Sequence, residues 1–186
     1  MIKLKDLITE AAQLSKYQIF APGTGGLDKG SANMDFDPTR VPRGRLKVYS
    51  MFEVNGKCFN KPWGAFWTSS YKQKFKGSAW TDFKKKKFPS WHSSMGAVFE
   101  ITGSPKVLKI RSQKDYDKAV KKYGIDTSDM GCGGGQYYLK WHEIAKHYDG
   151  FQLASTKFIP GVHEWDVEST VWFNMKKLKF VGTTKV

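Results

Sequence analysis

Acidic residues are scarce in this sequence. Aspartate and glutamate number 17 against 31 lysines and arginines, which leaves a net charge of +14 at neutral pH. An imbalance of this size favours a polyanion partner over a lysine surface that serves solubility alone. Cysteine is almost missing: Cys58 and Cys132 are the only two, they form no CxxC, and they argue against a disulfide framework. Long apolar runs are missing as well. No stretch approaches the roughly 18 residues that span a bilayer, so no membrane partner is expected. The N-terminal stretch MIKLKDLITEAAQL carries Asp6 and Glu10 and lacks the apolar centre of a signal peptide, which points to a cytoplasm. The four histidines, His92, His142, His147 and His163, show no zinc spacing. His142 and His147 stand five apart, not the four that puts two ligands on one helical face, so no metal site is expected.

What is present suffices for one core. The 186 residues suit one domain, or one domain with a tail, and aromatics at 15% supply core volume. Charge is unevenly spread. Residues 1–42 hold five acids and five bases, so the whole excess lies in 43–186. Ile2, Leu4, Leu7, Ile8, Ala11 and Leu14 space as on a short helix. Pro22-Gly23-Thr24-Gly25-Gly26 and the Asp, Gly, Ser and Asn that follow read as linker. The expected organisation is a leader helix and Gly/Pro-rich linker over 1–42, then a basic domain over 43–186.

Within that domain, strands are expected at 46–54, 64–70, 96–101, 107–110, 151–154, 169–174 and 178–181, from β-branched and aromatic runs bounded by turn residues. Helices are expected at 113–123, with Gly124 as its stop, and at 139–148, where Trp141, Ile144, Ala145 and Tyr148 share one face. Short strands and few, separated helices predict a compact α+β fold with a mostly antiparallel sheet.

Two segments carry candidate chemistry. Residues 71–91 hold seven lysines against one acid, Asp82, among Tyr71, Trp80, Phe83 and other rings. Lys72, Lys74, Lys84, Lys85, Lys86 and Lys87 are the candidate nucleic-acid contacts. Lysines release counterions from phosphates and rings stack on exposed bases; alternatively the rings are core and the lysines face solvent. In the second segment Glu164, Asp166 and Glu168 alternate, which on a strand puts three carboxylates on one face. Such a cluster suits acid–base work or the holding of a sugar hydroxyl or a developing cation, or else it guards an exposed edge. Thr68, Ser69 and Ser70 follow Trp67 at the end of a strand, where hydroxyls bind a ligand or cap a helix. The run Gly131-Cys132-Gly133-Gly134-Gly135 lacks the pattern of a phosphate loop.

In order, the segments Gly64-Ala65-Phe66-Trp67-Thr68-Ser69, Trp141 to Ala145 with Tyr148-Asp149-Gly150-Phe151, and Trp165-Asp166-Val167-Glu168-Ser169 into Val171-Trp172-Phe173-Asn174 resemble poorly characterised phage and bacterial proteins. The layout is similar to ADP-ribosyltransferase-like domains and covers residues 45–182. The resemblance implies a split-sheet fold and NAD as substrate. It implies that Glu168 grips the nicotinamide-ribose hydroxyl, with Ser69 and Arg45 beside it. Tyr49, Ser50, Trp67, Thr68, Tyr71 and Asp166 would line the NAD pocket, Trp67 or Tyr71 stacking on nicotinamide. Active members carry a His or Arg after the first-strand Tyr; here Ser50 follows Tyr49, which leaves Arg45 to serve. Leu7-Ile8-Thr9-Glu10-Ala11 resembles the site cut by prohead proteases of T-even-like phages. That implies packaging in a phage virion, contacts with phage capsid proteins through the leader, and release into the host cytoplasm. The alternative is a non-enzymatic virion or nucleic-acid-binding protein on the same scaffold.

Overall fold

The computed structural model describes residues 14–21, 41–50, 60–72, 77–87, 95–127, 137–154, 159–162, 165 and 167–186. The expected leader helix apart from Leu14, the linker at 22–40, the glycine run at 131–135, Lys74, Glu164 and Asp166 lie outside the described residues.

Eleven strands and three α-helices occur among the described residues: β1 Tyr17–Phe20, β2 Tyr49–Ser50, β3 Pro62–Trp63, β4 Phe66–Ser70, α1 Ala79–Lys87, β5 Met95–Ile101, β6 Val107–Ile110, α2 Gln113–Tyr123, β7 Gly124–Asp126, β8 Tyr137–Leu139, α3 Trp141–His147, β9 Gly150–Leu153, β10 Ser169–Trp172 and β11 Leu178–Lys185. Seven strands form one sheet in the order β11-β5-β1-β4-β10-β9-β6; β2–β3 and β7–β8 are separate ladders. Every pairing is antiparallel except β6 with β9. A parallel pair needs a crossover, and the chain between β6 and β9 supplies it as α2, the β7–β8 ladder and α3. The architecture is thus mixed, with helices and a mostly antiparallel sheet, as the short strands predicted.

Helix α2 lies where periodicity and caps put it; α3 starts at Trp141, two residues later than expected, because Leu139 ends β8, and α1 is not among the expected helices. Ser112 caps α2 by accepting from the Asp115 amide, Asp115 sits in the first turn and Lys121 and Lys122 in the last, where each suits the helix dipole. Tyr116, Ala119 and Tyr123 face inward from α2, as do Trp141, Ile144 and Ala145 from α3. They meet Ile110, Phe151, Leu153, Val171 and Phe173 of the sheet. Trp165 sits at the centre, 4.6 Å from the Trp67 ring and 5.2 Å from Phe151. Burying such rings at about 25 cal/mol per Å² makes this cluster the main driver of the fold.

Three expectations change. Tyr17–Phe20 falls within the stretch expected as leader and linker, yet it is an inner strand, paired to β5 on one side and β4 on the other. A boundary near residue 42 therefore leaves part of the sheet on its leader side. Four residues are too few to show a strand period, and only the sheet buries Gln18 and Ile19. The strand expected at 46–54 contributes only Tyr49–Ser50, in a ladder outside the main sheet; 51–59 are not described. The last strand runs past 181 to Lys185, along the sheet edge, with a bulge between Phe180 and Gly182. Gly64, at φ +81°, turns the chain from β3 into β4, and a side chain there would strike the Lys47 carbonyl oxygen.

The seven strands are continuous, but the sheet forks at β4. Its N-terminal residues pair with β10 through Trp172↔Phe66, Val171↔Trp67 and Thr170↔Thr68. Its last two pair with β1 through Ile19↔Ser69 and Gln18↔Ser70. Past Thr68, then, β4 loses its ladder to β10, and the candidate site lies in that fork.

Candidate active site

Glu168 immediately precedes β10 and fills the fork with its side chain. Continued pairing would set Glu168 opposite Ser70, but the carboxylate takes the ladder's place. The Ser70 amide donates to Oε2 at 3.0 Å and the Ser70 hydroxyl to Oε1 at 3.0 Å. The Ser69 hydroxyl lies 3.0 Å from Oε2 and 3.1 Å from the Glu168 carbonyl oxygen, and its one proton serves either acceptor. From β9, Gln152 Nε2 donates to Oε1 at 3.1 Å. With the Ser69 proton on Oε2, four donors match the four lone-pair positions of a carboxylate. All four are neutral. Among the described residues no lysine or arginine forms an ion pair with Glu168. In a chain of this net charge, its negative charge is therefore held by dipoles and not cancelled by a cation.

The sheet beside Glu168 is buried and polar. Gln152 and Thr170 face each other across β9 and β10, both fully buried. Gln152 Oε1 and Thr170 Oγ1 have no hydrogen-bond partner. An unsatisfied buried polar atom costs about 1–3 kcal/mol, so this stretch of sheet is destabilised beside the carboxylate. On the next strands the Thr68 hydroxyl donates to Gln18 Oε1 at 2.9 Å and accepts from Trp172 Nε1 at 2.9 Å.

Of the residues expected at the site, Glu168 and Ser69 come together. Arg45 does not join them. It bridges to Asn174, two residues past the end of β10 and six beyond Glu168, at most on the order of 20 Å at strand rise. There its guanidinium donates to the carbonyls of Ala145 and Tyr148 and to Asp149. The open carbonyls at the end of α3 attract a cation more strongly than a distant carboxylate does. Thr68 is near but turned to the internal Gln18–Trp172 tie. Trp67 packs against Trp165 in the core, and Tyr71 is buried with Ile19 and Val98, so neither ring takes the expected stacking role. Tyr49 and Ser50 stand on the β2–β3 ladder, where the Ser50 hydroxyl donates to the Leu139 carbonyl at 3.2 Å. Asp166 is outside the described residues.

The lysines divide. Lys72 is exposed and bridges to Gly77. On α1, Lys85, Lys86 and Lys87 are exposed, but Lys84 is only 2% exposed, and burial pushes its ammonium below the ordinary lysine pKa. Thr81 and Lys84, three apart, share the inward face of α1. The helix thus offers three adjacent lysines to solvent, not four.

Sequence reasoning named Ser70 among the hydroxyls ending β4 without placing it beside Glu168, and it missed Gln152. Gln152 carried no signal, because a glutamine in an apolar strand acquires meaning only when the strand beside it is known. The family models, curated proteins and solved structures compared with this chain contain no match, so the reading of this site rests on its residues and their geometry.

Proposed function

We propose that the chain transfers ADP-ribose from NAD to a protein or nucleic acid, with Glu168 as its central carboxylate. One observation carries this reading: Glu168 sits in the sheet fork, held by Ser69, Ser70 and Gln152 and not neutralised by a described cation. The reaction breaks the bond between nicotinamide nitrogen and ribose C1′. The bonding electrons leave with nicotinamide, and the ribosyl fragment becomes oxocarbenium-like. An uncancelled carboxylate beside that carbon stabilises the positive charge and accepts from a ribose hydroxyl. A nucleophile on the target then closes the new bond and releases its proton.

A ribose hydroxyl has to replace one donor when all four lone-pair positions of Glu168 are taken, and the Ser69 hydroxyl has the Glu168 carbonyl oxygen at 3.1 Å to turn to. A serine hydroxyl turns away by rotation about one bond, while the Ser70 amide and Gln152 keep the carboxylate aimed. Arg45 has no part in this chemistry. The test is nicotinamide release from NAD by wild type and by Glu168→Gln. Release by wild type, with loss of at least about 100-fold in the variant and an unchanged circular dichroism spectrum, supports the reading. A wild-type chain that neither binds nor cleaves NAD ends it.

The virion part of the proposal rests on Leu7 to Ala11 alone. It predicts the chain, shortened after Glu10, in mass spectra of purified phage particles. Among the described residues no helix is long and apolar enough to cross a membrane. A second reading, a non-enzymatic polyanion-binding protein, is favoured by the exposed Lys85, Lys86 and Lys87. It requires binding that weakens steeply with salt.

A further inference from the structure

The segment leading into β2 alternates in burial in a way the proposed NAD site does not use. Leu46, Val48 and Ser50 turn inward, and Val48 joins the core. Arg45, Lys47 and Tyr49 turn outward, so two cations and a ring follow one another along one face. Tyr49 is 46% exposed and stands directly opposite Trp63, itself 43% exposed. Residues opposed on a two-stranded ladder share a face with Cβ atoms about 4.5–5.5 Å apart. Large exposed rings are uncommon on the described surface, and these two are neighbours.

Beside this face runs a groove of about 240 Å³, lined by Arg45, Lys47, Tyr49, His142, Ala145 and Lys146 among others. One wall is this segment and the other is α3. The charges are not equally available. Arg45 is tied to Asp149 and the end of α3, and Lys146 pairs with Glu143 at 2.7 Å. Among the described residues Lys47 has no acidic partner, and it lies two residues from Tyr49 on the same face.

We infer that this face binds single-stranded nucleic acid, with bases stacked on Tyr49 and Trp63 and a phosphate on Lys47. Aromatic rings on a strand take bases of any identity, because every base has a π-face, and an adjacent cation follows the backbone. A net charge of +14 favours a polymeric anion over a lone nucleotide. A protein partner would leave two adjacent, opposed rings and a spaced lysine without a matching repeat. This site is separate from Glu168 and from the α1 lysines, and it stands whether or not the chain cleaves NAD.

The test titrates the full chain into a labelled short oligodeoxythymidylate at low salt and reads fluorescence anisotropy. Tyr49→Ala and Trp63→Ala should each weaken binding by about 5-fold to 150-fold, with unchanged circular dichroism because both side chains are exposed. Lys47→Gln should lower the slope of log affinity against log salt by about 0.7. Neutralising Lys85 to Lys87 should leave the ring variants' relative losses intact. Wild-type affinity in a Tyr49→Ala, Trp63→Ala double variant overturns the proposal. So does displacement of the oligomer by thymidine monophosphate at equal nucleotide concentration, which would make this a nucleotide site.

Discussion

The two ends of β10 each hold a carboxylate in a hydrogen-bond cage, and the cages are built differently. At the start, Glu168 is gripped by two hydroxyls, an amide and a side-chain carboxamide, all neutral. At the end, Asp149 accepts from the Lys106 amide at 2.9 Å and from Asn174 Nδ2 at 2.8 Å, with Arg45 at 3.3 Å. Asp149 is the more buried, its side chain 12% exposed. A carboxylate fixed by backbone and an arginine cannot change partners without loosening the sheet. One fixed largely by rotatable hydroxyls can. The chain thus uses one functional group as a staple at one end of a strand and keeps it exchangeable at the other.

The largest expected effect breaks the comparison at its functional end. Glu168→Ala should lower nicotinamide release by at least about 100-fold while costing about 1–2 kcal/mol of stability, since the Ser70 donors turn to water but the buried Gln152 loses a partner. Comparable losses of fold and activity, measured together by urea titration and NAD cleavage, would make Glu168 a second staple.

Next comes Asp149→Ala, expected to cost about 2–3 kcal/mol in urea unfolding with no direct effect on the Glu168 cage. Acid sharpens this test. Burial works to raise the Asp149 pKa, but the Asn174 and Lys106 hydrogen bonds, with Lys177 and Arg45, outweigh it and hold the carboxyl below its ordinary value of 3.8. A depressed folded pKa stabilises the fold fully above the unfolded value, and that contribution disappears as pH falls through the folded one. Wild type should therefore lose its advantage over Asp149→Asn as pH drops from about 5 through the depressed value. A constant difference between the two across that range would remove the role assigned to this cage.

The same contrast explains what the sequence made legible. Helices α2 and α3 and the strand ends at Ser70 and Ser169 follow from local signals: caps, an inward face, and hydroxyls ending a strand; the nearness of Glu168 and Ser69 came only as an implication of the resemblance. Arg45 was misread because its partner is the carbonyl end of α3, a hundred residues away in the chain, and nothing near Arg45 announces it. Trp67 and Tyr71 were misread because a ring that stacks on a ligand and a ring that fills a core look alike until their neighbours are known. β1 was missed because its strand character comes from the two strands that flank it.

A smaller effect separates the donors within the Glu168 cage. Ser70→Ala removes the hydroxyl on Oε1 but keeps the amide on Oε2, so it should cost about 1 kcal/mol, or roughly 2–4 °C in Tm for a chain of this length. Nicotinamide release should persist, because the vacated lone pair is the one offered to the ribose hydroxyl. Loss of turnover as complete as in Glu168→Ala would make the Ser70 hydroxyl indispensable and not exchangeable.

The smallest effect on stability, and the sharpest test of position, lies in α1. Lys84 and its three successors are the same residue in consecutive places, divided only by the face of the helix each occupies. Replacing Lys85, Lys86 and Lys87 by glutamine should change stability by less than about 0.5 kcal/mol, since all three are solvent-exposed. If they touch phosphate, the salt slope for duplex DNA should fall by up to about 2.7. Lys84→Gln should leave that slope alone, because its ammonium is turned into the molecule and cannot release a counterion from DNA. A Lys84 variant that changes the slope as much as one of its neighbours would mean that α1 turns to bring the fourth lysine out when DNA binds.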